Sequence, residues 1–180
     1  MEIVKAPNSV LSQKAKTIPA ITKQILDLIA DMKETLVSAK DPEGVGLAAP
    51  QVGKSLQLFI MQPTLNGPIS VFINPKVELI GNVKETKADK KDNEQLEGCL
   101  SLQNVWGTVR RAPKVSVKYM DETGIEHHKT FTNFPATVIQ HEIDHLNGIL
   151  FPKRVLEQHG RLYKSKKNKQ GKDIFEELDL

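Results

Sequence analysis

The run His141-Glu142-Ile143-Asp144-His145 places two imidazoles four residues apart with a carboxylate beside the first. On a helix that spacing projects both rings from one face, with Cβ atoms about 5–6 Å apart. Each ring can then offer a nitrogen to a single metal ion at roughly 2.0–2.1 Å. Glu142 can reach a metal-bound water without being a ligand itself. Two ligands, a base and an activated water point to metal-assisted hydrolysis. The same pattern also occurs on ordinary exposed helices with solvated histidines, so the residues around it must decide.

The chain continues His145-Leu146-Asn147-Gly148-Ile149-Leu150-Phe151. One class of metalloprotease needs a third histidine where Phe151 stands, so a third ligand must come from elsewhere. Cys99 is the sole cysteine, which excludes an intramolecular disulfide and leaves a thiol free to bind metal as thiolate. It lies in Glu97-Gly98-Cys99-Leu100-Ser101, where Gly98 would let the backbone approach substrate or metal. His127-His128 is the competing source, although neighbouring strand residues face opposite sides and only one could point inward. Glu157 or Glu176 could serve in a different plan.

These residues need elements to hold them. Val138, Ile139, Ile143 and Leu146 surround the histidines at helical spacing, predicting a buried helix that starts near Pro135. Thr132 or Asn133 would cap it and Asn147-Gly148 would stop it. A first helix is expected over residues 19–40, where Ile21, Ile25, Leu28, Ile29, Met32 and Leu36 recur. Gly44 to Gly53 reads as a turn or close backbone approach. Strands are expected at 56–61, 69–73, 76–80, 115–119 and 126–132, the last two joined through Asp121-Glu122-Thr123-Gly124 as a hairpin. Residues 82–95 are polar and read as a surface loop.

The 180 residues, 39% hydrophobic and 26% charged, suit one ordinary globular domain over residues 1–160. Residues 161–180 read as a charged, partly helical tail. The net charge of +3 owes much to Lys164, Lys166, Lys167, Lys169 and Lys172. A solvated surface explains these lysines; contact with RNA is the sharper reading, but no aromatic-interleaved binding motif supports it. No apolar run is long enough to span a membrane. Residues 1–10 lack a signal peptide's apolar segment, which predicts a cytoplasmic protein, or an organellar one if a leader has been removed.

Three segments in this order, Gly44-Val45-Gly46-Leu47-Ala48-Ala49-Pro50-Gln51, Glu97-Gly98-Cys99-Leu100-Ser101 and Gln140 to Gly148, resemble those of peptide deformylases. The resemblance covers about residues 1–155. It implies an α+β fold with antiparallel β-sheets packed around a central metal-binding helix. It also implies removal of the formyl group from N-terminal formylmethionine of new polypeptides, with no DNA or membrane partner. Cys99, His141 and His145 would bind one divalent metal ion, commonly Fe2+ in the family, with Zn2+, Ni2+ or Co2+ as substitutes. Glu142 would move the proton, while the Gln51 side-chain amide and the Leu100 N–H would stabilise the formyl oxygen. Val45 and Gly46 would hydrogen-bond an extended substrate, with Gly98 opposite and Phe134 and Val138 lining the methionine pocket. The basic tail could contact the ribosome.

This chain departs from the family where relatives continue Cys-Leu-Ser-Val-Pro and it has Leu102-Gln103-Asn104. Many relatives carry arginine where Trp106 stands. An indole can stack on a peptide but supplies no positive charge.

Overall fold

The computed structural model describes residues 1–40, 43–80, 96–168 and 173–178. The expected loop at 82–95 lies outside them. Two antiparallel sheets carry the fold. The first has five strands, ordered β1 (Gly46–Ala48), β2 (Leu58–Met61), β3 (Ser70–Ile80), β6 (Lys114–Met120) and β7 (Glu126–Thr132). The second has four, ordered β4 (Leu96–Cys99), β5 (Leu102–Thr108), β8 (Leu162–Lys167) and β9 (Asp173–Glu177). The helices are α1 (Lys23–Ser38), α2 (Asn133–Leu146) and α3 (Phe151–Glu157).

The first sheet is covered on both faces, and its strands show why. Leu58 and Ile60 join Leu28, Ile29, Met32 and Leu36 of α1, together with Val71 and Ile73. Phe59, Met61 and Phe72 join Ala136, Val138, Ile139 and Leu146 of α2. Alternate side chains of a strand point to opposite faces, so an all-apolar β2 needs cover on both. Phe59 and Phe72 stack with centroids 4.4 Å apart, under α2.

Helix α2 runs close to its sequence expectation, with Thr132 at its N-cap. It ends where Gly148 turns left-handed at φ 69°. There the Ile149 N–H donates to the Asp144 carbonyl at 2.8 Å and Gly148 N–H to His145 at 3.1 Å, a paired stop that satisfies orphan carbonyls. Helix α1 starts later than Pro19. Ile18 is pinned by the Asn74 side chain, which accepts from its N–H at 2.9 Å and donates to its carbonyl at 2.8 Å. Thr22, extended at φ −93° and ψ 168°, is the N-cap, and the helix runs from Lys23.

The strands expected at 69–73 and 76–80 are one strand, β3, with its register broken between Ile73 and Lys76. Asn74 there has φ 50°, and Pro75 cannot donate to a ladder. Beyond Arg161 the expected helical turns give way to a β-hairpin. β8 pairs with β5, and β9 with β8. Lys166–Glu176 at 2.5 Å and Arg161–Glu177 at 3.4 Å join oppositely charged side chains of the hairpin. No described helix is long and apolar enough to cross a membrane.

Candidate metal centre

Helix α2 lays its apolar face on the first sheet and turns His141 and His145 toward Cys99, the last residue of β4 in the second sheet. Ligand atoms of Cys99, His141 and His145 all lie within 4.8 Å of one another. Cys99 Sγ is 3.2 Å from His145 Nε2. No other cluster of this kind occurs among the described residues. Of the candidate third ligands, Cys99 is the one that stands with both histidines. His127 instead pairs with Asp121 at 2.6 Å and His128 with the Ser116 hydroxyl at 2.7 Å. Glu157 pairs with Arg154, and Glu176 with Lys166.

Burial opposes ionisation of the Cys99 thiol, but the charge of His145 and hydrogen bonds with His141 and His145 hold it well below its usual range. The set therefore favours the thiolate that a metal requires. Two nitrogens and a thiolate suit zinc and iron alike, so these side chains fit a divalent ion.

Glu97 fixes the first histidine. Its Oε2 lies 2.9 Å from His141 Nδ1, which leaves His141 Nε2 as the nitrogen an ion could take. Arg111 donates to the same carboxylate at 2.8 and 2.9 Å and to Asp144 at 2.6 Å. Asp144 in turn accepts from Arg154 at 2.7 Å. Burial alone would raise the Glu97 pKa; hydrogen bonds from Arg111 and His141 outweigh it and bring it down to about 2. Sequence reasoning gave Glu97, Arg111 and Asp144 no role. Their signal was faint: acidic residues inside both motifs, at Glu97 and Asp144, on segments expected to be buried.

Glu142 is only 3% exposed, and its Oε2 has no hydrogen-bond partner among the described residues. Burial pushes its carboxyl up to about 7, close to the working range of a proton carrier. Gly46 makes room for it: a Cβ there would collide with Glu142 Oε1 and sit 3.0 Å from Val138 Cγ1.

Gln51 sits in the short 3-10 turn Ala49–Val52 and is buried. Its Oε1 accepts from the Ala48 N–H at 2.8 Å. Its Nε2 faces the site, 3.6 Å from Cys99 Sγ and 3.3 Å from the Ser101 hydroxyl. Leu100 is buried next to Cys99, and its carbonyl accepts from Lys5 Nζ at 2.7 Å.

A cavity of about 410 Å³ opens onto these groups. Val45, Gly46, Gly98, Phe134 and Val138 all line it, as do Gln51, Cys99, Leu100, His141, Glu142 and Trp106. Val138 is also core, packed with α2's inner face. Gly98 has a further reason to be glycine. A Cβ there would lie 2.8 Å from Trp106 Cζ3, so its missing side chain accommodates the indole.

Comparison with known proteins agrees with this geometry. The polypeptide deformylase family model matches residues 1–161. A peptide deformylase of Halothermothrix orenii is 41% identical over 156 residues, covering 87% of this chain and 94% of that protein. One from Pseudothermotoga lettingae is 39% identical over 142 residues, covering 79% and 75%. The crystal structure of a Synechococcus elongatus peptide deformylase in complex with actinonin superposes with a TM-score of 0.74 at 37% identity, covering 85% of this chain and 77% of that one. The Thermotoga maritima enzyme gives 0.71 at 32%, covering 85% and 95%. With two antiparallel sheets, a cluster of Cys99 from β4 with two histidines from a central helix, and these relatives, the chain belongs to the polypeptide deformylase family.

Proposed function

We propose that Cys99, His141 and His145 hold one divalent ion and that Glu142 is the proton carrier in removal of the formyl group from nascent chains. The observation that carries this reading is Glu142 itself, buried beside the ligand cluster with Oε2 unpartnered. A bound divalent ion would supply Lewis acidity toward the formyl oxygen and lower the pKa of a water toward 7. Glu142 would accept that water's proton and deliver it to the departing amine nitrogen as the C–N bond breaks.

Negative charge develops on the formyl oxygen as the carbon becomes tetrahedral. Gln51 Nε2, already aimed at the cluster, and the Leu100 N–H would donate to it. Each such donor is typically worth about 2.7–4 kcal/mol in the transition state. The formyl carbon bears only hydrogen, so it is sterically open to attack.

The peptide would lie extended between two sheet edges, β1 and β4, both terminal in their sheets. The Val45 carbonyl is taken by the Gln62 N–H at 2.8 Å. In a strand successive residues turn their backbone groups to opposite edges, so Gly46, next to Val45, is the residue whose outer edge would be offered to substrate. Phe134 and Val138 would receive the methionine side chain, with Gly98 on the opposite edge.

Fe2+ is the proposed native ion, with Zn2+, Ni2+ or Co2+ as substitutes; metal analysis after anaerobic purification would identify it. A cytoplasmic or organellar location follows the substrate, since formylated chains arise where translation starts with formylmethionine. Ribosome contact through Lys164 and its neighbours is tested by salt-dependent cosedimentation, although Lys166 is already paired with Glu176.

The activity is tested by formate release from a formyl-methionyl tripeptide, against its acetyl counterpart and an unformylated peptide. Release from the formyl peptide alone is expected. Cleavage of internal peptide bonds would instead indicate a general metallopeptidase.

A further inference from the structure

The chain's sole tryptophan stands at the cavity wall. Trp106 lies on β5, between Gly98 of β4 and Tyr163 of β8. Its six-membered ring rests over Gly98, where a Cβ would be 2.8–3.0 Å from three ring carbons. Its Nε1–H donates to the Ser165 hydroxyl at 3.1 Å. Phe175 of β9 meets it edge-on, with centroids 5.7 Å apart and planes at 89°. Two of these three restraints come from the C-terminal hairpin.

The orientation has a chemical consequence. With its N–H committed to Ser165, the indole offers the cavity carbon surface and a π face. Glu43, exposed, also lines the cavity. A carboxylate on a bound peptide would meet an apolar ring and a like charge. An aromatic or aliphatic side chain would bury area against the ring.

We propose that Trp106 selects the substrate side chain that follows methionine, favouring aromatic and aliphatic residues over acidic ones, and that the β8–β9 hairpin positions its indole. This rests on the deformylase reading of the same cavity. Ser165 and Phe175 act through Trp106 and are positioning residues; Trp106 is the contact.

The test uses metal-loaded full chain and formyl-Met-X peptides with X as Phe, Leu, Ala or Asp. Wild type should show a lower KM for Phe and Leu than for Asp, with similar kcat. Trp106→Ala should raise the KM for the Phe peptide about fivefold, as expected for loss of one aromatic contact, and the Asp peptide little. Trp106→Phe should restore most of the preference. Ser165→Ala and Phe175→Ala should shift preference in the same direction as Trp106→Ala. Trp106 emission, free of any other tryptophan, should change on titration with the unformylated product Met-Phe and not with Met-Asp. Equal KM changes for every X, or emission that ignores Met-Phe, would overturn the proposal. Wild-type protein that releases no formate from any peptide would instead defeat the activity, while the emission titration would still decide the role of Trp106.

Discussion

Glu97 Oε2 accepts from His141 Nδ1 at 2.9 Å while Arg111 donates to both oxygens of the same carboxylate. The first histidine of the proposed ligand set is therefore aimed by a carboxylate that is itself held by a buried guanidinium. Losing such a partner typically weakens metal binding about 10–100-fold. Glu97→Ala should retain the fold, lower metal affinity by that order and leave Cys99 in place. Competition titration with a chelator checks it; wild-type affinity would show that His141 needs no orienting group.

Arg111 also donates to Asp144, and its side chain is 9% exposed. Removing it leaves two buried carboxylates with weaker neutralisation, Glu97 with only His141 and Asp144 with only the partly exposed Arg154. Breaking a buried pair from one side costs about 3–5 kcal/mol. Arg111→Met should lower stability by that amount in urea unfolding. A loss below about 1 kcal/mol would mean that Arg154 and His141 compensate.

Gly46 bounds the space of the Glu142 carboxylate. A Gly46→Ala side chain would collide with Glu142 Oε1 and press Val138. The variant should keep its metal and lose most of its turnover, since a misplacement near 1 Å can cost about 100-fold. Metal content and formate release on the same sample separate the two effects. Normal turnover would show that Glu142 can move aside without harm.

Removing the ion should soften the junction between the sheets. Cys99 comes from β4 and the histidines from α2, so one ion would tie the second sheet to the helix covering the first. Binding to the folded state alone stabilises it by mass action, about 4.1 kcal/mol at a thousandfold excess over Kd. Thermal unfolding should shift down in chelator and recover on adding Fe2+ or Ni2+. Cys99→Ala should lose that shift, and an unchanged chelator response would remove Cys99 from the ligand set.

Much of the site was legible from local pattern. The helix α2 announced itself through apolar spacing and the Asn147-Gly148 stop, and the two histidines and Glu142 travel with it. The third ligand was not fixed by spacing, because Cys99 is brought to α2 by a second sheet with no sequence-local signature. Glu97, Arg111 and Asp144 escaped for the same reason, since their partnership exists only after β4 and α2 meet. The C-terminal segment read as a charged tail, since its charges give no strand pattern of their own. The open edge of β5 and the cross-strand Lys166–Glu176 pair favour a hairpin instead. That hairpin supplies two of the contacts on Trp106, so that reading hid its link to the cavity.

The decisive measurement is formate release by Glu142→Gln protein whose metal content is determined on the same sample. An unchanged metal stoichiometry with turnover reduced by about 100–10,000-fold is the expected result, the usual contribution of a positioned proton carrier. Near-normal turnover in the metal-loaded variant would contradict the role assigned to this carboxylate.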